Sequence, residues 1–489
     1  MICALVSLLT LSSSRSLAQA TDLGSEEAKY YQILDIPLPD GTAFEPGALL
    51  TLPNGKLAFA TRLGDIYFIS GHLQTNASAL KFERFASGLH EVLGLAFQDG
   101  WLYVTQRGEV SRLRDRDGDG RADLFETVND EWGINGDYHE YAFGSKFDRE
   151  GNIWVALCLT GSFTSENRFR GWALRITPEG KMIPTTSGLR SPGGIGANAI
   201  GDMFFTENQG PWNGACALKH LVPGAFVGNP SGNVWYKDPA VKFPRPADPK
   251  SGSRVHLEAE KIPELIPPAV LFPYNKMGQS ASGIACDLTS GKFGPFKGQL
   301  FVGDQTHSTV MRVFLEKVNG RYQGAAFPFR EGFASGNLSL EFVQDGSLMV
   351  AGTDRGWGAR GGKPFALQRL VWTGKTPFEI LEMRAIAEGF EFTFTGPAEL
   401  KSLTDSASYT LESYTYIYQA NYGSPEVDRT KPVIKSLQPG ADKKSVRMQL
   451  DTLHRGHVYE VHLKGVRSAE GSPLLHSAAY YTLNNIAFP

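Results

Sequence analysis

Two turns between Gly188 and Pro211 gather the residue types best suited to holding a polar ligand. Gly188-Leu-Arg190-Ser-Pro192-Gly-Gly194 sets one arginine in a run of turn formers, and Thr206-Glu-Asn-Gln209-Gly210-Pro211 closes a second turn after the apolar strand Met203-Phe-Phe205. Such a pair of turns can present Arg190, Gln209 and the carbonyls of Gly210 and Pro211 to one cavity. A surface arginine in a tight turn is the plainer alternative.

Two further groups could do chemistry. Asp115-x-Asp117-x-Asp119-Gly120-x-x-Asp123-x-x-Glu126 has carboxylates at positions 1, 3, 5, 9 and 12 of a calcium loop and glycine at 6, with Arg121 at the position that offers a backbone carbonyl. Calcium takes hard oxygens at this spacing, and the absence of flanking helical patterns predicts a structural ion rather than a sensor. His139, in Asp137-Tyr138-His139-Glu140, is the best base: an imidazole is neutral near pH 7, and a neighbouring carboxylate can orient it. His90 beside Glu91 is a weaker second choice. An isolated histidine is more often structural, so the sequence leaves both readings open.

Composition narrows the partners. With 48 basic against 51 acidic residues the formal charge is −3, which gives no electrostatic case for nucleic acid or an anionic membrane and suits small neutral partners. Residues 2–11 form an apolar run followed by Ala18-Gln-Ala20, the pattern of a secretory signal over 1–20, and no later run reaches the ~18 apolar residues of a membrane helix. A periplasmic or secreted location follows as an expectation. Cys158, Cys216 and Cys286 would remain in the mature chain, an odd set in apolar strand contexts, read as buried free thiols.

The elements that must position these groups repeat. A turn glycine leading an apolar strand recurs at Gly55, Gly100, Gly151, Gly201, Gly298 and Gly346, mostly at intervals of 45 to 51 residues, the length of one four-stranded propeller blade. The doubled interval from Gly201 to Gly298 predicts an insertion near 211–281, an extended loop over one face, with a degenerate seventh blade as the alternative. Taking the glycine-led strands as the innermost ones puts His139, Arg190, Gln209, residues 304–307 and Arg355 on one rim of the ring. Beyond Gly374 the alternating patterns of residues 390–394, 446–450 and 458–463 predict a β-sandwich that resembles an immunoglobulin-like module, with a packing, spacing or adhesion role. The expected fold is all-β: a six-bladed β-propeller over 21–375 and a small immunoglobulin-like sandwich over 376–489.

From about Phe59 to Leu370 the chain resembles the soluble glucose/sorbosone (aldose sugar) dehydrogenases, carried by the Gly-Leu-Arg-x-Pro turn and the Glu-x-Gln-Gly-Pro turn, and most of all the planctomycete-type membrane-bound dehydrogenase proteins. Those enzymes are propellers that use pyrroloquinoline quinone (PQQ) and calcium. The resemblance implies an exported sugar or alcohol oxidoreductase in which His139 takes the hydroxyl proton and Arg190 faces the quinone. It further implies that Gly210 and Pro211 hold a second calcium and that a cytochrome or other carrier accepts the electrons. The arginine pair expected before the sixth repeat is replaced here by Gly336-Asn-Leu338, so the cofactor's carboxylates would need another cation, and Arg355 with the neighbouring ring of Trp357 is the expected substitute; Arg360 and Lys276 are further candidates. A quinone-free calcium-assisted carbohydrate lactonase or lyase and a non-catalytic carbohydrate-binding propeller are the alternatives.

Overall fold

The computed structural model describes residues 23–74, 77–356 and 358–487. The expected signal segment 1–20 and Trp357 lie outside the described residues. Each repeat folds into one antiparallel four-stranded sheet. Blade one comprises Pro46–Thr51, Leu57–Thr61, Ile66–Ser70 and Lys81–Ala86; blade two Gly94–Gln98, Trp101–Thr105, Val110–Arg114 and Leu124–Asn129; blade three Ala142–Phe147, Ile153–Leu157, Trp172–Ile176 and Met182–Ser187. Blade four comprises Pro192–Ala197, Met203–Glu207, Cys216–His220 and Val270–Phe272; blade five Ala281–Cys286, Leu300–Asp304, Thr309–Val318 and Arg321–Arg330. Blade six takes Asn337–Phe342, Leu348–Thr353 and Phe365–Trp372 from its own repeat and Tyr31–Ile36 from the other end of the chain. The first strands of successive blades pack side by side, and that of blade six returns to that of blade one, which closes a propeller ring.

The glycine-led repeat marks the second strand of every blade, not the innermost as its apolar character suggested. The reason is steric. Innermost strands meet backbone to backbone, so they are built from small residues: a Cβ on Gly193 would lie 2.1 Å from the Ala281 carbonyl oxygen, and one on Gly47 would lie 1.9 Å from that of Val92. The second strands are where the bulky apolar side chains pack between blades, as Phe59, Val104, Val155, Phe205, Val302 and Val350 do.

The insertion is narrower than 211–281. Cys216–His220 and Val270–Phe272 are the outer strands of blade four, so the extra chain is the connection 221–269, which carries the 3-10 helix Pro230–Lys237 and the short helix Val255–Ala259. No seventh blade forms among the described residues. None of their helices is long and apolar enough to cross a membrane.

The C-terminal segment forms two further sheets that enclose an apolar core of Phe390, Phe392, Val446, Met448, Tyr459 and Tyr481 among others. One runs in the order Ile380–Ile386, Gly389–Phe394, Ser445–Leu450, Ile434–Pro439. The other, Glu426–Thr430, Thr410–Tyr416, His457–His462 and Ala478–Leu483, continues blade five, because Ala478–Leu483 pairs with Arg321–Arg330 into one eight-stranded sheet. Covering that edge removes an unpaired row of backbone donors and acceptors, and it ties the sandwich rigidly to the ring.

A buried charge cluster joins the same parts. His476 hydrogen-bonds to Glu379 Oε2 at 2.7 Å and Glu27 Oε1 at 2.8 Å, while Glu27 also pairs with Arg330 at 2.9 Å. Burial alone would lower the His476 pKa, but Glu379 and Glu27 outweigh it and raise it to about 10. The ring is therefore protonated in the folded protein. Because the folded value lies above the ordinary value of about 6.5, this stabilisation is complete below about pH 6.5 and is lost as pH rises toward 10. Chemical unfolding at pH 6.5 and 9.5 should show wild type losing on the order of 3 kcal/mol more than His476→Gln over that interval. Parallel losses in the two proteins would show that His476 is not the linked group.

Candidate functional site

Residues just before each innermost strand and just after each second strand emerge on one face, around the mouth of the central channel. The polar lining includes Arg62, His139, Ser191, Asn208, Gln305 and Arg355, over a floor that includes Leu93, Phe143 and Leu338. Its volume is about 40 Å³, far below the roughly 300 Å³ at which ligand pockets begin. The mouth as it stands admits a protruding group rather than a whole cofactor.

His139 projects into it with its side chain 34% exposed, and its Nδ1 lies 3.8 Å from Asp137 Oδ1. Burial lowers its pKa below the ordinary histidine value; Asp137 opposes that, and the Arg190 and Arg107 guanidiniums add to it. The imidazole is therefore neutral near pH 7, the state a base requires. Asp137 also accepts from the His139 N–H at 2.8 Å and the Gly161 N–H at 2.9 Å, which fixes the loop that carries the ring.

Across the mouth lies a buried three-residue bridge. Glu91 accepts from Arg62 Nε at 2.9 Å on one oxygen and from Arg107 Nε at 2.9 Å on the other. Burial would raise the Glu91 pKa, but the two guanidiniums prevail and hold its carboxyl below the usual range. From this bridge the arginines reach outward: Arg107 donates to the Asp137 carbonyl at 2.5 Å and the Tyr138 carbonyl at 3.1 Å, and Arg62 donates to the Arg355 carbonyl at 3.3 Å. Both also sit over the Tyr141 ring, 5.2 and 5.5 Å from its centroid. Arg355 is half-buried and paired with Glu45, while Gln305 donates to the carbonyls of Thr353 at 2.9 Å and Arg355 at 3.2 Å. His90 does not line the mouth.

The structure brings His139, Gln305 and Arg355 together but turns Arg190 away. Its guanidinium is buried, donating to the Ser162 carbonyl at 2.9 Å and the Gln209 carbonyl at 2.7 Å, and it lies beside the neighbouring rings of Phe163 and Tyr422. Glu207, which the turn motif contains without marking its role, accepts from the N–H groups of Arg190 at 2.9 Å and Ser191 at 2.7 Å, and Lys219 neutralises it at 3.1 Å. The Gln209 side chain is tied to the Gly214 carbonyl at 2.9 Å. Lys276 lies elsewhere, among Glu412, Glu426 and Glu460. Arg62 and Arg107 were missed, although the repeat itself carries the signal: each follows a second strand at the position that Gln305 and Arg355 also approach.

The donors assigned to a quinone and its calcium do not fit that group here. The Gly210 carbonyl accepts from Asn213 N–H and Gly423 N–H, both at 3.1 Å, which uses both lone pairs, and the Pro211 carbonyl accepts from Asn229 Nδ2 at 3.2 Å. Gly423 belongs to the sandwich loop 417–425, which lies over this turn.

The acidic loop is the hairpin between the third and fourth strands of blade two. Asp115, Asp117 and Asp119 converge, one carboxylate oxygen of each lying within 4.8 Å of the others. Slight desolvation would raise the Asp115 pKa, but hydrogen bonds from the N–H groups of Gly118 and Gly120 hold it below its ordinary value. Asp123 and Glu126 point elsewhere, to Arg116 Nε at 3.3 Å and Arg112 Nε at 2.7 Å, and the Arg121 N–H donates to Asp119 at 2.8 Å. Three hard carboxylates are a chemistry that suits calcium.

Comparison with known proteins follows the fold. A protein described as an oxidoreductase (glucose dehydrogenase) from Thermus thermophilus is 22% identical over 70% of this chain and all of its own, with a TM-score of 0.50. The PQQ-bound aldose sugar dehydrogenase of Streptomyces coelicolor is 16% identical over 70% of this chain and 98% of its own, with a TM-score of 0.48. The PQQ domain of pyranose dehydrogenase from Coprinopsis cinerea is 12% identical over 70% and 95%, with a TM-score of 0.49. No curated protein matches the chain by sequence. The model of a family described as a domain of unknown function, DUF7133, matches residues 75–336, more than half of the chain.

Two measurements check these assignments. In an NMR titration His139 should titrate below about 6.5, and lower still in Asp137→Asn, because the one carboxylate that favours its charged form is gone. Calcium at about a hundred times its Kd should add about 2.7 kcal/mol to the stability of wild type and nothing to that of Asp117→Ala. Equal melting temperatures with calcium and with chelator would remove the metal from this loop.

Proposed function

The chain belongs to the DUF7133 family, and we propose that it is a carbohydrate oxidoreductase-like propeller that receives a sugar hydroxyl at the channel mouth, with His139 as the proton acceptor. One observation carries this reading: a half-exposed neutral imidazole opens into a mouth ringed by hydrogen-bonding side chains. Asp137 fixes the loop that carries the ring, the Glu91 bridge fixes the loops on either side, and Asn208, Ser191 and Gln305 offer donors and acceptors to hydroxyl groups. Arg62 and Arg355 supply positive potential where an alkoxide would form as the proton leaves.

The finer form of the reading is an exported enzyme, periplasmic or secreted and akin to the planctomycete-type proteins, that uses PQQ with a second calcium and passes electrons to a cytochrome or other acceptor. It rests on the resemblance of the turns at 188–194 and 206–211 and of His139. The division into a signal segment at 1–20, a propeller over 21–375 and an immunoglobulin-like sandwich over 376–489 belongs to the same proposal, as does a structural calcium on the 115–126 loop. The engaged carbonyls of Gly210 and Pro211 favour a second reading, a quinone-free carbohydrate lactonase, lyase or binding propeller that uses the same mouth.

The sugar dehydrogenase assay is a panel of aldoses and polyols with a dye acceptor, with and without PQQ and calcium. His139→Gln should lower turnover by about 10²–10⁴-fold with little change in sugar affinity, and wild-type kcat/KM should rise with pH with its midpoint below about 6.5. Unchanged turnover in His139→Gln would remove it as the base. Visible-absorbance titration with PQQ separates the two readings: no spectral change in the folded, calcium-loaded protein would leave the quinone-free one.

A further inference from the structure

Beside the mouth stand two aromatic side chains that solvent reaches from one side only. Phe163, in the turn after the second strand of blade three, is 53% exposed, and Tyr422, in the sandwich loop 417–425, is 55% exposed. Their ring centroids are 6.3 Å apart at 41°, and the Arg190 guanidinium lies 5.6 Å from the first centroid and 5.1 Å from the second. The backbone that carries each ring is anchored. The Phe163 N–H donates to the Thr160 carbonyl at 3.1 Å and its own carbonyl accepts from Ser231 Oγ at 3.1 Å, while Tyr422 is bridged to Pro211 and its neighbour Gly423 to Gly210. Among the described residues Arg190 has no carboxylate ion pair, so the buried cation acts on the two rings and on whatever lies across them.

Adjacent exposed aromatic rings on anchored backbone mark a binding surface, since they offer large apolar area at a small cost in side-chain freedom. A pyranose suits them: its axial C–H groups form an apolar face that the electron-rich ring face attracts, while its hydroxyls stay at the polar rim. The rings also adjoin the mouth. Ser191 and Asn208, which line it, flank Arg190 and Gln209, and Gly161, two residues before Phe163, shares Asp137 with His139.

We propose that Phe163 and Tyr422 form a stacking subsite for the sugar unit next to the one at His139, so that the ligand is an oligosaccharide or the end of a polysaccharide and the C-terminal sandwich is part of the site. This rests on the carbohydrate reading above.

The test uses the full chain on an array of mono- to hexasaccharides, followed by calorimetry with the best binder and its own monosaccharide. Wild type should bind the longer sugar at least about tenfold more tightly than the monosaccharide, equivalent to about 1.4 kcal/mol. Phe163→Ala and Tyr422→Ala should each erase that difference at unchanged melting temperature, and Tyr422→Phe should keep it, which a purely structural role would not produce. If longer sugars bind no more tightly, or if the alanine variants bind them as wild type does, the subsite is overturned while monosaccharide binding leaves the carbohydrate reading standing. If no sugar binds at all, both fall.

Discussion

Everything at the mouth depends on one buried anion. Glu91 holds Arg62 and Arg107 through its two oxygens, and those arginines in turn hold the backbone at Arg355, Asp137 and Tyr138. Without the carboxylate, two buried guanidiniums would face each other across Tyr141 with nothing to offset them, and the loops of blades one, two, three and six would lose their common anchor. The position of His139 is thus set by a residue that never meets a ligand. The electrostatics agree with this division of labour, since the bridge is fully charged and closed on itself whereas the imidazole it supports is neutral and open.

Much of this was legible in the sequence because it is local. The glycine-led repeat encodes one hairpin at a time, and six copies suffice to imply a ring; the acidic loop is a twelve-residue pattern; Asp137 and His139 are two residues apart. What stayed hidden is non-local. No periodicity says that Tyr31–Ile36 completes blade six, that Ala478–Leu483 extends blade five, or that a sandwich loop covers Gly210. The assignment of innermost strands failed for a related reason: apolar content marks burial between blades, while the channel wall is built from glycine and other small residues whose signal is the lack of a side chain.

The turns at 188–194 and 206–211 show how a motif can keep its shape and change its use. Glu207 and Lys219 preserve the backbone of the first turn, yet the Arg190 side chain packs beside two aromatic rings and the carbonyls of the second turn meet N–H groups of the sandwich and Asn229. A resemblance in backbone-directing residues carries the fold further than it carries the ligand. The sandwich meets the propeller at the second of these turns.

The closing strand at Tyr31–Ile36 also sets an order of events during synthesis. Its partner, Phe365–Trp372, is made more than three hundred residues later, a delay on the order of tens of seconds at ~5–20 residues per second. Throughout that interval Tyr31–Ile36 lacks the edge it joins, and the blades already formed make an open arc with an apolar seam at each end. Ring closure is therefore a single late event between the two most distant parts of the propeller. The apolar seams that blade six covers stay open until Phe365–Trp372 has been made.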